Sequence, residues 1–261
     1  MQDLKQETMK SLTKALDILA LFLDNQGEMA LSEIAKLSGL NKTTVSRIVS
    51  TLVKHGYLKQ KEKRGKYSLG TIYLSFSGVV KSKLRLRSIA IPYLTRLSQQ
   101  VHESTIIAYG NGSEEVFTET FHDTSQPNSV LKIVPAEGTG MPLHSTATGK
   151  ILLAYMSDEE LEEYFNNKHL RRYTPNTITN INDMKNHLMI VRQEGIALDD
   201  EEFSLGVRGV AAGLRDSEGK IVGSFGVVAP SVRLTRAGMR ELAPDVKSCA
   251  VEISRELGFR G

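Results

Sequence analysis

The sequence has 261 residues, of which 40% are hydrophobic and one is cysteine, and its formal net charge is +3. This length favours two domains. No apolar run approaches the ~20 residues of a membrane span, the first residues lack the apolar core of a signal peptide, and a single cysteine excludes an internal disulfide framework. We therefore expect a cytoplasmic protein with no membrane partner, metal or cofactor.

The first 56 residues predict three helices. The first runs over residues 11–23, and its expected buried stripe consists of Leu12, Ala15, Leu16, Leu19, Phe22 and Leu23. The second has Ser32 as a plausible N-cap and ends at Gly39, and Asn41 can cap the third. One face of the third helix is apolar at the 3.6-residue period, through Val45, Ile48, Val49 and Leu52. This spacing is typical of a helix-turn-helix.

The other face of the third helix carries hydrogen-bond donors and no acid: Lys42, Thr43, Ser46, Arg47, Ser50 and Lys54. Such a helix fits the major groove of DNA. Residues 57–69 then predict a hairpin with a basic tip, and residues 41–67 together carry +7, leaving −4 for the rest. Without other evidence, a run of charged residues indicates only a solvent-exposed surface. Together with the helix-turn-helix spacing, however, the charge indicates DNA contact.

The residues expected to contact DNA form two groups. Those on the third helix are Lys42, Thr43, Thr44, Ser46 and Arg47, with Arg47 the best candidate for a guanine or a phosphate. Those on the hairpin tip are Lys63, Arg64 and Lys66, which should contact the phosphate backbone.

Residues 70–83 predict a linker helix with Ile72, Phe76, Val79 and Val80 on one face. That face either packs on the N-terminal unit or pairs with its copy in a dimer, as paired half-sites require. We divide the chain into a winged helix-turn-helix domain (1–69), this linker helix (70–86) and a C-terminal domain (87–261). The last begins with a helix over 87–102, with Pro92 expected near its first turn.

The remaining residues predict a mixture of strands and helices. The expected strands cover 105–109, 116–120 (joined at Asn111-Gly112), 129–134, 196–198, 207–216 and 220–229. The expected helices cover 147–156, a segment opened by a capping box at Ser157, 182–194 closed by Gly195, and a C-terminal helix from Thr235 to about 257. Strands flanked by helices predict an α+β domain.

Two segments could bind a ligand. Residues 142–150 place hydroxyl groups and free backbone N–H groups at a helix N-terminus, which favours an anion such as a carboxylate. The same hydroxyl groups could simply cap the helix. Residues 199–202 are four consecutive acids before a buried-looking strand, and we expect at least one to point inward.

From about Ser11 to Gly258 the chain resembles the IclR family of bacterial transcription regulators. The motifs that carry the resemblance lie, in order, at 31–47, 142–150, 174–179, 195–202 and 206–212. The resemblance implies a winged helix-turn-helix, a linker helix and a GAF-like antiparallel sheet flanked by helices. It also implies a homodimer or a dimer of dimers on a pseudopalindromic operator in double-stranded DNA.

The resemblance further implies a small organic acid as effector. The matching positions are Ala147, Thr148, Asp199 and Gly209, and the candidate set is completed by Ser145, Thr146 and Val207. Gly209 stands where some members have a cysteine, so the site is larger here or uses the backbone. An ionised Asp199 repels an anion unless it faces hydroxyl groups or is protonated, so a hydroxylated or sugar-derived acid suits the site.

The sequence gives little support to an enzymatic function. His144 lies next to Ser145, but adjacent residues rarely align as base and nucleophile, and no Gly-x-Ser-x-Gly, P-loop or His-Glu-x-x-His motif is present. We expect a DNA-binding regulator, a repressor rather than an activator. The alternative is a small-molecule-binding or catalytic GAF-like module whose N-terminal unit mediates protein contacts.

Overall fold

The computed structural model describes residues 9–24, 27–62, 65–83, 85–110, 115–121, 133–135, 140–167 and 169–261. The chain divides into two compact units, Met1–Leu84 and Arg85–Gly261. Each unit has a hydrophobic core of its own.

The first unit is a winged helix-turn-helix. Its elements are α1 (Lys10–Asp24), α2 (Leu31–Ser38), α3 (Lys42–Lys54), β1 (Leu58–Gln60), β2 (Tyr67–Leu69) and α4 (Ile72–Lys83). Strands β1 and β2 pair antiparallel, and Met29 adds a bridge to Tyr67. The core is formed by Ile18, Phe22, Met29, Ile34, Ala35, Val45, Val49 and Leu58.

The turn between α2 and α3 is defined by a glycine at the end of α2 and an N-cap at the start of α3. Gly39 adopts the left-handed conformation (φ +67°) that ends α2, and the side chain of Asn41 accepts the N–H of Thr44 at 2.8 Å, as the sequence predicts. The prediction of Ser32 as N-cap is wrong. Helix α2 begins earlier, after Ala30, whose N–H donates to the carboxylate of Glu33 at 2.6 Å.

The buried face of α1 differs from the predicted stripe. Ile18 and Phe22 are buried in the core. The exposed apolar residues of this segment are Met9, Leu12, Leu16 and Leu23, and Leu19 is partly buried. Because the helix is apolar on two faces, its periodicity alone does not say which face meets the core.

Helix α4 is anchored to the first unit by aromatic contacts. The ring of Tyr57 lies 5.9 Å from that of Tyr73 and 6.1 Å from that of Phe76. The turn before α4 needs glycine, because a Cβ on Gly70 would lie 1.8 Å from the carbonyl oxygen of Gly56. Its first turns therefore pack on their own unit, while the side chains of residues 78–83 lie outside the described part.

The second unit is an antiparallel sheet between helices. Its strands are β3 (Ser104–Gly110), β4 (Glu115–Phe121), β5 (Gly140–Pro142), β6 (Ile196–Asp200), β7 (Val207–Arg215) and β8 (Ile221–Pro230), in the order β5-β4-β3-β8-β7-β6. Its helices are α5 (Arg85–Val101), α6 (Ala147–Ala154), α7 (Asp158–Asn167), α8 (Ile181–Glu194) and α9 (Arg236–Glu256).

The alternation of side chains along β7 separates two cores. Val210 and Ala212 pack with residues of α5 and α9, whereas Ala211 packs with residues of α6 and α8. This period of two is what a sheet covered on both faces requires. The α+β prediction is confirmed.

The second unit differs from the predictions in two details, and a third prediction falls on residues that the structure does not describe. Helix α5 begins at Arg85, so Pro92 lies inside the helix rather than in its first turn. Strand β5 is additional and pairs with β4. The predicted turn at Asn111-Gly112, and all but the end of the predicted strand 129–134, lie outside the described residues.

Among the described residues, no helix combines the length and the apolar character that a membrane crossing requires. In the same part of the chain, no group of three or more His, Cys, Asp or Glu side chains is placed to hold a metal ion.

Candidate nucleic-acid interface and effector site

Helix α3 presents a polar face at its N-terminal end. Lys42, Thr43, Ser46 and Arg47 are exposed, whereas Val45 and Val49 fix the other side of the helix in the core. Thr44 is half-buried, and its N–H is taken by Asn41. Four of the five predicted contact residues on α3 are therefore exposed, and Thr44 is partly exposed.

The wing follows α3 and carries exposed positive charge. Lys66 is exposed, and the turn closes through a bond from the side chain of Gln60 to the carbonyl of Gly65 at 3.0 Å. Lys61 makes an exposed ion pair with Glu28 at 3.7 Å. The predicted contact residues Lys63 and Arg64 lie outside the described residues.

The N-terminus of α6 is capped by Thr146. Its hydroxyl accepts the N–H of Gly149 at 3.0 Å and donates to the carbonyl of Pro142 at 3.2 Å. Gly149 must be glycine, since a Cβ there would lie 2.5 Å from the backbone of Leu143. Thr146 therefore serves as a cap, which leaves the N–H groups of Ala147 and Thr148 outside the hydrogen bonds of the helix itself.

Gly209 brings the two predicted ligand-binding segments together. A Cβ added to Gly209 would lie 3.6 Å from the Cβ of Ala147 and 3.7 Å from that of Asp199. Asp199 is also paired with Gly209 across β6 and β7. The first residue of α6 and the first acid of 199–202 therefore meet over a residue that has no side chain.

The other predicted effector residues belong to the same two segments of the chain or to the start of β7. The carbonyl of Thr148 accepts the hydroxyl of Ser224 at 3.1 Å, which ties α6 to β8. Ser145 is fully buried, and its hydroxyl has no hydrogen-bond partner among the described residues. Val207 opens β7 two residues before Gly209, and its carbonyl accepts the N–H of Glu201 at 3.1 Å.

Asp199 belongs to a buried charge cluster that extends behind the candidate site and that the sequence did not predict. Lys150 is fully buried, and its Nζ lies 2.5 Å from Oε1 of Glu202, which is 7% exposed. The N–H of Glu202 donates to Oδ1 of Asp199 at 2.8 Å. The inward-pointing acids expected in 199–202 are thus Asp199 and Glu202. Lys150 was missed because its partner is 52 residues away in the sequence.

Burial shifts the protonation equilibria of this cluster. It raises the pKa of Asp199 to about 7, against the opposing effects of Lys150 and the N–H of Glu202. It also raises the pKa of Glu202, against the attraction of Lys150. Burial, followed by the charge of Lys150, lowers the pKa of His187 on α8 to about 4, so His187 is neutral at pH 7.

Residues 171–177 hold the loop that follows β6. The hydroxyl of Thr174 donates to the carbonyl of Glu201 at 2.7 Å, and that of Thr177 donates to the carbonyl of Glu202 at 2.6 Å. The same segment holds the turn before α6, since Nε2 of His144 lies 3.0 Å from the carbonyl oxygen of Arg171. The motif at 174–179 therefore holds the loop beside the candidate site, and His144 ties the turn before α6 to the same segment.

Models of two protein families match the chain. The model described as "IclR helix-turn-helix domain" matches residues 11–62, and the model described as "Bacterial transcriptional regulator IclR C-terminal" matches residues 79–255. Together these matches cover both units of the structure.

Similar proteins are known by sequence and by structure. The HTH-type transcriptional regulator XynR of Escherichia coli K12 is 29% identical over 96% of this chain and 98% of its own. A crystal structure described as a putative IclR transcriptional regulator from Silicibacter is 24% identical, with a TM-score of 0.83 over 96% of this chain and 97% of that one. Other relatives are named as transcriptional repressors.

One solved relative contains a ligand. The structure of an IclR homolog from Microbacterium hydrocarbonoxydans, complexed with 4-hydroxybenzoate, is 26% identical to this chain. It covers 95% of this chain and 98% of its own, with a TM-score of 0.75.

Proposed function

The chain belongs to the IclR family of bacterial transcriptional regulators, and from that premise we propose that it is a repressor whose operator binding is modulated by a small organic acid. The family makes it a DNA-binding regulator and not an enzyme. Relatives named as repressors support the direction of regulation. A regulator of this kind acts where the DNA lies, so we expect it in the cytoplasm.

We assign the reading of the operator to α3. Its exposed N-terminal donors can reach base edges in the major groove, and Arg47 can donate two hydrogen bonds to a guanine. Lys66, with Lys63 and Arg64 of the same tip, would contact phosphates and contribute affinity without sequence preference. The exposed donor face on a helix fixed by Val45 and Val49 is the single observation that best supports DNA binding.

The exposed face of α1 supports a homodimer on a pseudopalindromic operator. Met9, Leu12, Leu16, Leu19 and Leu23 follow the alternating three- and four-residue spacing of a coiled-coil seam. Four of the five are more than half exposed in the single chain. A second copy of the same helix would cover these residues and place two α3 helices for paired half-sites. A dimer of dimers remains compatible with this pairing.

We place the effector between α6 and β6, over Gly209. The N–H groups of Ala147 and Thr148 can bind a carboxylate at the helix N-terminus. The aromatic acid bound to the Microbacterium relative supports an acid as the ligand class. Asp199 sets a further demand: when ionised it requires a hydroxyl donor from the ligand, as a sugar-derived acid supplies, and when neutral it can donate to the ligand.

Mobility-shift titration of the full chain on DNA from upstream of its own gene tests the proposal. We expect a sequence-selective complex that weakens steeply with salt. A thermal-shift screen across organic acids then selects the ligand that raises the melting temperature most, because a ligand that prefers the native state stabilises it. That acid should release the DNA. Absence of selective binding up to micromolar protein at low salt would exclude the proposed regulator.

A further inference from the structure

Two buried carboxyl groups, Asp199 of the candidate effector site and Glu202 behind it, share one buried cation, Lys150. The Nζ of Lys150 lies 2.5 Å from Oε1 of Glu202, so the lysine is paired with Glu202. Asp199 is 6% exposed and accepts the backbone N–H of Glu202 through Oδ1. If all three groups were charged, the cluster would hold one uncompensated negative charge in the protein interior, which is strongly unfavourable.

The other charged groups nearby do not remove this excess. His187, from α8, faces Lys150 and is neutral at pH 7. Asp200, next to Asp199 on β6, is paired with Arg208 at 2.6 Å and with Arg236 at 2.5 Å, so those two cations are already taken. The remaining way to neutralise the cluster is a proton on one carboxyl group.

We propose that Asp199 is the carboxyl group that holds this proton, and that it donates a hydrogen bond to the carboxylate of the effector. Glu202 keeps the negative charge because it contacts Lys150 directly, which makes Lys150 and Glu202 positioning residues for the protonation state of Asp199. The Cβ atoms of Asp199 and Ala147 lie 3.7 and 3.6 Å from the position that a Cβ of Gly209 would take, so the Asp199 carboxyl group is close to the first residue of α6. The inference rests on the proposed acid effector and extends it to acids without a hydroxyl group.

The pKa of Asp199, raised to about 7 by burial, agrees with this arrangement. Oδ1 of Asp199 accepts the N–H of Glu202, and the backbone of Phe203 also hydrogen-bonds to this carboxyl group, so a proton on Oδ2 is the one that can be donated to a ligand. A neutral carboxyl group and the free N–H groups of α6 would then bind the two oxygens of one carboxylate.

Carbon-13 NMR of the full chain, labelled at aspartate side chains, tests the protonation state without any ligand. The Asp199 signal is identified by its loss in Asp199→Asn, and Asp200→Asn is the matched control. We expect the Asp199 signal to titrate near pH 7. In Glu202→Gln the midpoint should fall by about one pH unit or more, because Lys150 is then left to attract the charge of Asp199.

A midpoint for Asp199 below about 5 in the wild type would overturn the inference and leave the acid effector open. So would a midpoint unchanged in a folded Glu202→Gln variant. Should that variant fail to fold, as judged by circular dichroism, the wild-type titration decides.

Saturation-transfer NMR with acetate and glycolate tests the donated hydrogen bond. Since the proton is lost around pH 7, we expect both acids to bind about tenfold more weakly at pH 8 than at pH 6. Binding to Asp199→Asn, whose amide still donates, should not depend on pH. Failure of both acids to bind at pH 6, or equal affinity at the two pH values, would overturn this step, while the mobility shift would still judge the DNA-binding function independently.

Discussion

At the scale of single residues, the burial of Lys150 is the feature of the second unit that its sequence indicates least. A lysine on a short helix is ordinarily solvated, yet here it is fully buried against Glu202. Sequence periodicity cannot detect a pair whose partners are 52 positions apart. The capping role of Thr146, in contrast, is local, so its residue type and its place before Ala147 make it predictable.

Removing one member of this pair should be costly. Lys150→Met leaves Glu202 buried without its cation, and we expect it to lower the free energy of unfolding by about 3–5 kcal/mol. The double variant Lys150→Met/Glu202→Leu removes both charges and should recover most of that loss. Chemical denaturation at pH 7 measures both. A single variant as stable as the wild type would show that the pair is not truly desolvated.

The contribution of Asp199 to the free energy of unfolding should decrease as the pH rises. The pKa of Asp199 rises from 3.8 to about 7 on folding, so the native state holds the proton more tightly than the unfolded state. Relative to Asp199→Asn, the wild type should lose stability as the pH rises from 4 through 7, by on the order of 4 kcal/mol. Denaturation of both proteins at intervals across this range checks it, and a constant difference would contradict it.

At the scale of elements, α1 shows where sequence patterns reach their limit. Leu12, Leu16, Leu19 and Leu23 form one apolar face and Ile18 with Phe22 forms another, and the second is the one buried in the core. Both faces have helical periodicity, so only the packing of α2 and α3 decides between them. Helix α3 has a single apolar face, and for that reason its buried and exposed residues could be predicted.

The face of α1 left exposed should mediate self-association. Leu16→Glu places a charge on the proposed seam at a residue that is 57% exposed, so we expect the fold of the single chain to survive and the dimer to dissociate. Sedimentation velocity measures the change. Met189→Glu, a similar substitution at an exposed site on α8, serves as the control and should leave the dimer intact. An unchanged sedimentation coefficient for Leu16→Glu would rule out this seam.

At the scale of the whole molecule, one chain combines a unit with an exposed donor helix and a unit with a candidate ligand site. An effector can change the affinity for DNA only if it binds differently to the states that DNA prefers and rejects. The order of the two units follows from sequence motifs, because each motif is local and carries its own caps and glycines. The charge cluster of Asp199, Glu202 and Lys150 does not, because it forms only when α6 packs over β6 and β7.

The assignment of DNA reading to α3 and of phosphate contact to the wing is the central claim. Fluorescence anisotropy with operator and scrambled DNA over a range of salt concentrations tests it in wild type, Arg47→Ala and Lys66→Ala. Arg47→Ala should lose preference for the operator by about 1–3 kcal/mol. Lys66→Ala should weaken binding to both DNAs equally and reduce the salt slope by about one unit. Unchanged operator preference and unchanged salt slopes in both variants would contradict the account.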